Sequence, residues 1–129
     1  MPVKFSVVPH NDPRDQAAAP KYYATVKSTG HADTNEVAKA IARMSTVSTA
    51  DTMAMLEAFL TVVPDLLADG KIVELGEFGT FRLGISSDGA AQANAVSPDR
   101  ITDAHVIFSP GQRFKDVLAT LKFQKEAEG

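Results

Sequence analysis

Residues 73–84 read V-E-L-G-E-F-G-T-F-R-L-G, and the hydrophobic period changes on entering them. Upstream, Met53, Leu56, Phe59, Leu60, Val63, Leu66 and Leu67 recur at helical spacing and form a broad apolar stripe, with Glu57, Thr61 and Asp65 facing the other way. From Lys71 the period is two. K-I-V-E-L predicts a strand, Gly76 and Glu77 a turn, and F-G-T-F-R-L-G-I-S a second strand antiparallel to the first. Phe78 and Phe81, three apart in a strand, are expected on opposite faces. Gly79 between them leaves room for a ring or another backbone to approach. The residues alone leave two readings open. Both rings fill the core of one chain and Gly79 marks a bulge, or one ring packs under its own helices while the other reaches a partner.

Working outward, the long helix opens with Ser48 followed three residues later by Asp51. It carries Pro64, where a missing N–H and a crowded carbonyl predict a kink, and stops at Gly70. A shorter helix precedes it, announced by Asp33 with Glu36 in a capping-box pattern and by Val37, Ile41 and Met44 on one face. Before that, V-K-F-S-V and K-Y-Y-A-T-V-K-S alternate with period two and predict two strands, separated by a loop rich in Pro, Asn and Asp. Beyond the hairpin, residues 87–103 lack periodicity and read as an exposed excursion. A-H-V-I-F-S is the return strand, and Phe114, Val117, Leu118 and Leu121 make the stripe of a last helix. The tail, residues 122–129, is expected to fray.

A chain of 129 residues with 44% hydrophobic and 22% charged residues matches one modest globular domain. No apolar run is long enough to span a bilayer, and the N-terminus lacks the pattern of a secretory signal, so an intracellular, cytoplasmic protein with no membrane partner is the expectation. With no cysteine, thiolate chemistry and disulfides are excluded. His10, His31 and His105 lie far apart and none has a ligand partner at helical spacing, so no metal site and no cofactor are expected. There is no nucleophile elbow, phosphate loop or H-E-x-x-H pair, and enzymatic activity is not expected.

V-E-L-G-E-F-G-T-F at 73–81 and F-S-P-G-Q-R-F-K-D-V-L at 108–118 stand in the same order, with a matching helix before them and a matching excursion between them. In this the chain resembles the bacterial HU/IHF family of histone-like DNA-binding proteins over about residues 31–121. The two N-terminal strands lie outside that match and are similar to a variant branch with an added N-terminal segment. The resemblance implies an α+β fold: an HU/IHF-like intertwined dimer with two N-terminal strands, two helices, a three-stranded antiparallel sheet bearing a β-arm, and a C-terminal helix. It divides the chain into a strand extension at 1–30, an HU-like domain at 31–121 with its arm at about 85–104, and the tail. Leu56, Phe59, Leu60, Val63, Phe78, Gly79, Phe81, Phe108 and Phe114 are the expected core and dimer residues. Burial points the same way, because the long helix has little of its own chain to cover it. A second copy, or the N-terminal strands, must do so.

HU-like dimers hold DNA with two arms in the minor groove, basic residues on phosphates and a proline wedge at each arm tip. The resemblance places that wedge at Pro98 and the phosphate contacts at Arg82, Arg100, Arg113 and Lys115. Yet in the arm Arg100 stands against Asp88, Asp99 and Asp103, a formal charge of −2. Thr34, Gly84, Ser86 and Gln112 occupy positions where the family often has Lys or Arg. Positive charge remains in 113–125, where Arg113, Lys115, Lys122 and Lys125 face only Asp116. It also remains in 1–30, where Lys4, Arg14, Lys21 and Lys27 face Asp12 and Asp15. The expectation is a nucleoid-associated architectural homodimer that binds double-stranded DNA without sequence preference. Binding should be weak and salt-sensitive, through the C-terminal helix, the N-terminal strands and what remains of the arm. The alternative is the same dimer turned into a protein-interaction or scaffold module.

Overall fold

The computed structural model describes residues 2–15 and 17–126. In chain order the elements are β1 (Val3–His10), β2 (Lys21–Val26), α1 (Thr34–Arg43), α2 (Thr49–Ala68), β3 (Val73–Glu74), β4 (Gly79–Ser87), β5 (Ile101–Pro110), α3 (Gln112–Ala119) and β6 (Phe123–Lys125). Two 3-10 turns, Ala93–Ala95 and Pro98–Arg100, lie between β4 and β5. They form two compact units, one of Met1–Asp33 with Val117–Gly129, the other of Thr34–Asp116.

In the second unit, the Ser48 hydroxyl accepts from the Asp51 N–H at 3.1 Å and so caps α2. The helix runs through Pro64 to Ala68. At its end Gly70 N–H bonds to Leu67 O and Lys71 N–H to Leu66 O. This paired closure needs the left-handed φ of +82° at Gly70. The chain then enters the antiparallel sheet β3-β4-β5, with Val73 opposite Phe81 and Phe81 opposite Phe108. The period-two pattern over-reads the first strand, which keeps only Val73–Glu74 of K-I-V-E-L. The long strands β4 and β5 pair from Gly79–Pro110 out to Ser87–Ile101, with a register shift between Ser86 and Ser87.

The first unit is a three-stranded sheet in the order β2-β1-β6, with β1 and β2 antiparallel and β1 and β6 parallel. Here the expected fraying of 122–129 is corrected. Phe123–Lys125 pair with Val3, Lys4 and Phe5, and Glu126 N–H still bonds to Phe5 O at 2.8 Å. A parallel partner more than 100 residues away in sequence leaves no mark in local pattern. Residues 127–129 of the tail lie outside the described residues. The register also sorts the faces. Val3, Phe5, Val7, Pro9, Tyr22, Ala24, Val26 and Phe123 share one face, and Lys4, Ser6, Val8, His10, Lys21, Tyr23, Thr25 and Gln124 share the other.

Among the described residues, the buried apolar side chains are Ala38, Leu67 and Val73, all in the second unit, joined by Thr52, whose hydroxyl donates to Ser48 O. No large side chain is fully enclosed among them. Of the expected core, Gly79 is buried and Leu56, Val63, Phe81, Phe108 and Phe114 are half-buried, while Phe59, Leu60 and Phe78 are 42%, 48% and 44% exposed.

Candidate nucleic-acid interface

Four phenylalanines set the geometry of the second unit. Phe78, Phe81, Phe108 and Phe114 form one cluster, with ring centroids from 4.7 Å (Phe81 to Phe108) to 6.5 Å (Phe78 to Phe81). The expectation that Phe78 and Phe81 point to opposite faces is therefore corrected. Alternation holds only inside a strand, and β4 starts at Gly79, after Phe78. Gly79 has φ +145°, a conformation L side chains rarely adopt, and this reverses the parity so that both rings reach the same cluster. A Cβ on Gly79 would lie 2.6 Å from the Phe108 ring and from Ser109 O. Of the two readings left open above, both rings join one cluster within the chain, but Gly79 pairs in register with Pro110 and marks no bulge.

The two motif segments lock together at this point. Gly111 N–H donates to Phe78 O at 3.0 Å and Arg113 N–H to Glu77 O at 3.1 Å, so the turn before β4 satisfies donors at the start of α3. A Cβ at Gly111 would collide with the Glu77 carbonyl. Outside this latch, Arg113 Nε lies 3.2 Å from Glu77 Oε2, with both side chains largely in solvent. Nothing in the spacing of either motif announces that pairing.

The β4–β5 ribbon has two unlike faces. Phe81, Leu83 and Ile85 pair with Phe108, Val106 and Ala104 on one. On the other, Arg82 pairs with Ile107, Gly84 with His105 and Ser86 with Asp103. His105 lies over Gly84, where a Cβ would come within 2.5 Å of its Nε2, and its Nδ1 is 3.5 Å from Asp103 Oδ2. The alternation in A-H-V-I-F already separates His105 from Val106, so this neighbour of Arg82 was within reach of the sequence.

The expected DNA-contacting residues are spread along this frame. Arg82 is exposed on the polar face of β4. Pro98 starts the second 3-10 turn, in the connection between the strands. Arg100 closes that turn, and its guanidinium donates to Gly89 O at 3.0 Å while its own carbonyl accepts from Asp88 N–H. Arg113 and Lys115 lie in the first turn of α3, both exposed, Arg113 beside Glu77. The unit that carries all five, residues 34–116, has seven basic and eleven acidic side chains.

Beside the ribbon, Phe59, Leu60, Val63, Pro64, Leu67 and Ala68 of α2 face Phe81, Leu83 and Val106 across an open, wholly apolar groove of about 520 Å³. Among the described residues no cluster of three or more His, Asp or Glu could hold a metal ion, and no helix is long and apolar enough to cross a membrane.

Comparison with known proteins gives the same frame. The chain is 16% identical to a putative bacterial DNA-binding protein from Bacteroides vulgatus, with a TM-score of 0.65 over 98% of this chain and 50% of that one. It thus spans half of that protein's length. It is 20% identical to Anabaena HU, solved as a cocrystal with DNA, with a TM-score of 0.55 over 69% of this chain and 99% of that one. At these identities the likeness shows the fold. No curated protein matches. The family model described as an HU domain fused to a wHTH, Ig or glycine-rich motif matches residues 1–125, and the protein with this aromatic cluster, latch and ribbon is a member of that HU family.

Proposed function

We propose that this protein is an architectural DNA-binding protein of the bacterial nucleoid. In this reading it acts as an intertwined homodimer and binds duplex DNA without strong sequence preference. The observation that carries the reading is the β4–β5 ribbon with Pro98 in its connection, set on a fold shared with an HU solved on DNA. The apolar groove between α2 and the ribbon supports the dimer, since Phe59 and Leu60 need a cover that a second copy supplies by symmetry. Arg82, Arg100, Arg113 and Lys115 carry the phosphate contacts in this proposal, and Pro98 is the wedge. Binding is weak and salt-sensitive, because four cations per chain release few counterions.

A scaffold role is the second reading. It is favoured by the acidic arm, and by Arg100 and Arg113 already engaging Gly89 and Glu77. Fluorescence anisotropy of a labelled duplex of about 30 base pairs, plain and nicked, at low and near-physiological salt separates the two readings. Affinity that drops steeply with salt and favours the deformed duplex is the architectural result. Replacing Arg82, Arg100, Arg113 and Lys115 by Glu should then weaken it, and unchanged affinity would refute the residue assignment. A folded dimer that binds no duplex even at low salt decides for the scaffold.

A further inference from the structure

In the first unit, strand register gathers charges that are scattered in sequence. Lys4 lies opposite Gln124, and His10 opposite Lys21. Lys27 continues the row beyond β2, because its N–H still bonds to Lys4 O at 2.8 Å and its Nζ lies 4.0 Å from Glu126 Oε1. Lys4, Lys21, Lys27 and His10 therefore share one face of a three-stranded sheet, all exposed, with Glu126 beside Lys27 and Asp12 near His10 and Lys21 as the acids met there. The opposite face carries Phe5, Val7, Tyr22, Val26 and Phe123, with Lys125 as its basic residue.

The two ends of the polar face are concave. At one, Lys4 and Lys27 border a depression of about 640 Å³ with Ser28, Thr29 and Gln124. At the other, His10, Lys21 and Tyr23 border one of about 450 Å³ together with Asp12, with the His10 and Tyr23 rings edge to face at 5.9 Å. Lys4 and His10 are six positions apart along β1, roughly 20 Å of extended strand. That spacing lets the ends engage separate phosphates of one backbone, with Ser6 and Thr25, then Val8 and Tyr23, between them.

We propose that this polar face is a second DNA-backbone surface, with Lys4, Lys21 and Lys27 as its phosphate contacts. The inference rests on the DNA-binding reading above and changes where the affinity resides. The second unit carries seven basic and eleven acidic side chains, whereas the first carries six basic and five acidic, and three of those six lysine and arginine side chains stand in this one row. Phosphates are drawn to such a row, and the apolar face opposite is left for protein contacts.

The test uses the full-length chain. Anisotropy on the 30-base-pair duplex is measured across a salt series for the wild type, for a Lys4→Gln, Lys21→Gln, Lys27→Gln triple variant, and for Lys125→Gln. The triple variant is expected to lower the slope of log affinity against log salt by about one per lysine removed. Lys125→Gln, on the apolar face, should leave the slope unchanged. A folded triple variant with wild-type slope overturns this surface and leaves the architectural reading standing, whereas a wild type that binds no duplex at low salt overturns both. An equal loss per lysine removed in the triple variant and in Lys125→Gln would also overturn it, because charge and not the face would then matter. If the triple variant fails to fold, the single variants at these exposed positions are read by the same slope.

Discussion

At the scale of single residues, glycines at the latch matter more than the charges around it. Gly79 combines φ +145° with ring and carbonyl atoms 2.6 Å from any Cβ, so Gly79→Ala meets both backbone strain and a clash. We expect a loss of about 2–4 kcal/mol in denaturant unfolding. Gly111→Ala should behave similarly, because its Cβ would meet the Glu77 carbonyl. Glu77→Ala is the contrasting case. Its side chain makes only an exposed ion pair with Arg113, and the carbonyl that matters belongs to the backbone. A change within about 0.5 kcal/mol is expected. A large loss from Glu77→Ala with little from Gly111→Ala would reverse this view of the latch.

At the scale of elements, α2 depends on its ends. Ser48 caps the helix by accepting from Asp51 N–H, and Ser48→Ala should cost about 1 kcal/mol by thermal or chemical denaturation, with Ser48→Asp restoring most of it. The connection between β4 and β5 is an element of a different kind. It is built from two 3-10 turns and from Arg100 reaching back to Gly89. Pro98 occupies the first position of its turn, where a fixed φ is favourable and no N–H is lost. If Pro98 is the wedge, Pro98→Ala should reduce the bend of a doubly labelled duplex seen by energy transfer. Affinity should change by only a few-fold, because the phosphate contacts remain. An unchanged bend would remove Pro98 from the interface.

At the scale of the whole molecule, the shortage of buried side chains among the described residues argues for the proposed second copy. Leu67 and Val73 are enclosed, but the groove formed by Phe59, Leu60, Val63 and Leu83 is open. If a second copy fills it, melting temperature should rise with protein concentration. Leu60→Asp should yield monomeric or unfolded chain in sedimentation equilibrium, since an unpaired charge would be buried at the interface. Concentration-independent melting from a stable monomer would refute the dimer.

Much of this architecture was legible locally. Helical and strand periods, the Ser48 cap and the Gly70 stop sufficed for α1, α2 and the ribbon, because each depends on residues within a few positions of one another, and the order of two motifs along the chain sufficed for the family. Other features depend on segments far apart in the chain. The parity change at Gly79, the bonds from Gly111 and Arg113 to the turn before β4, and the pairing of Phe123–Lys125 with β1 arise only when distant backbones meet. The same holds for the row of Lys4, Lys21 and Lys27. Composition counted these charges, but only strand register decides which face a side chain takes, and a slip of one residue would have divided them between two.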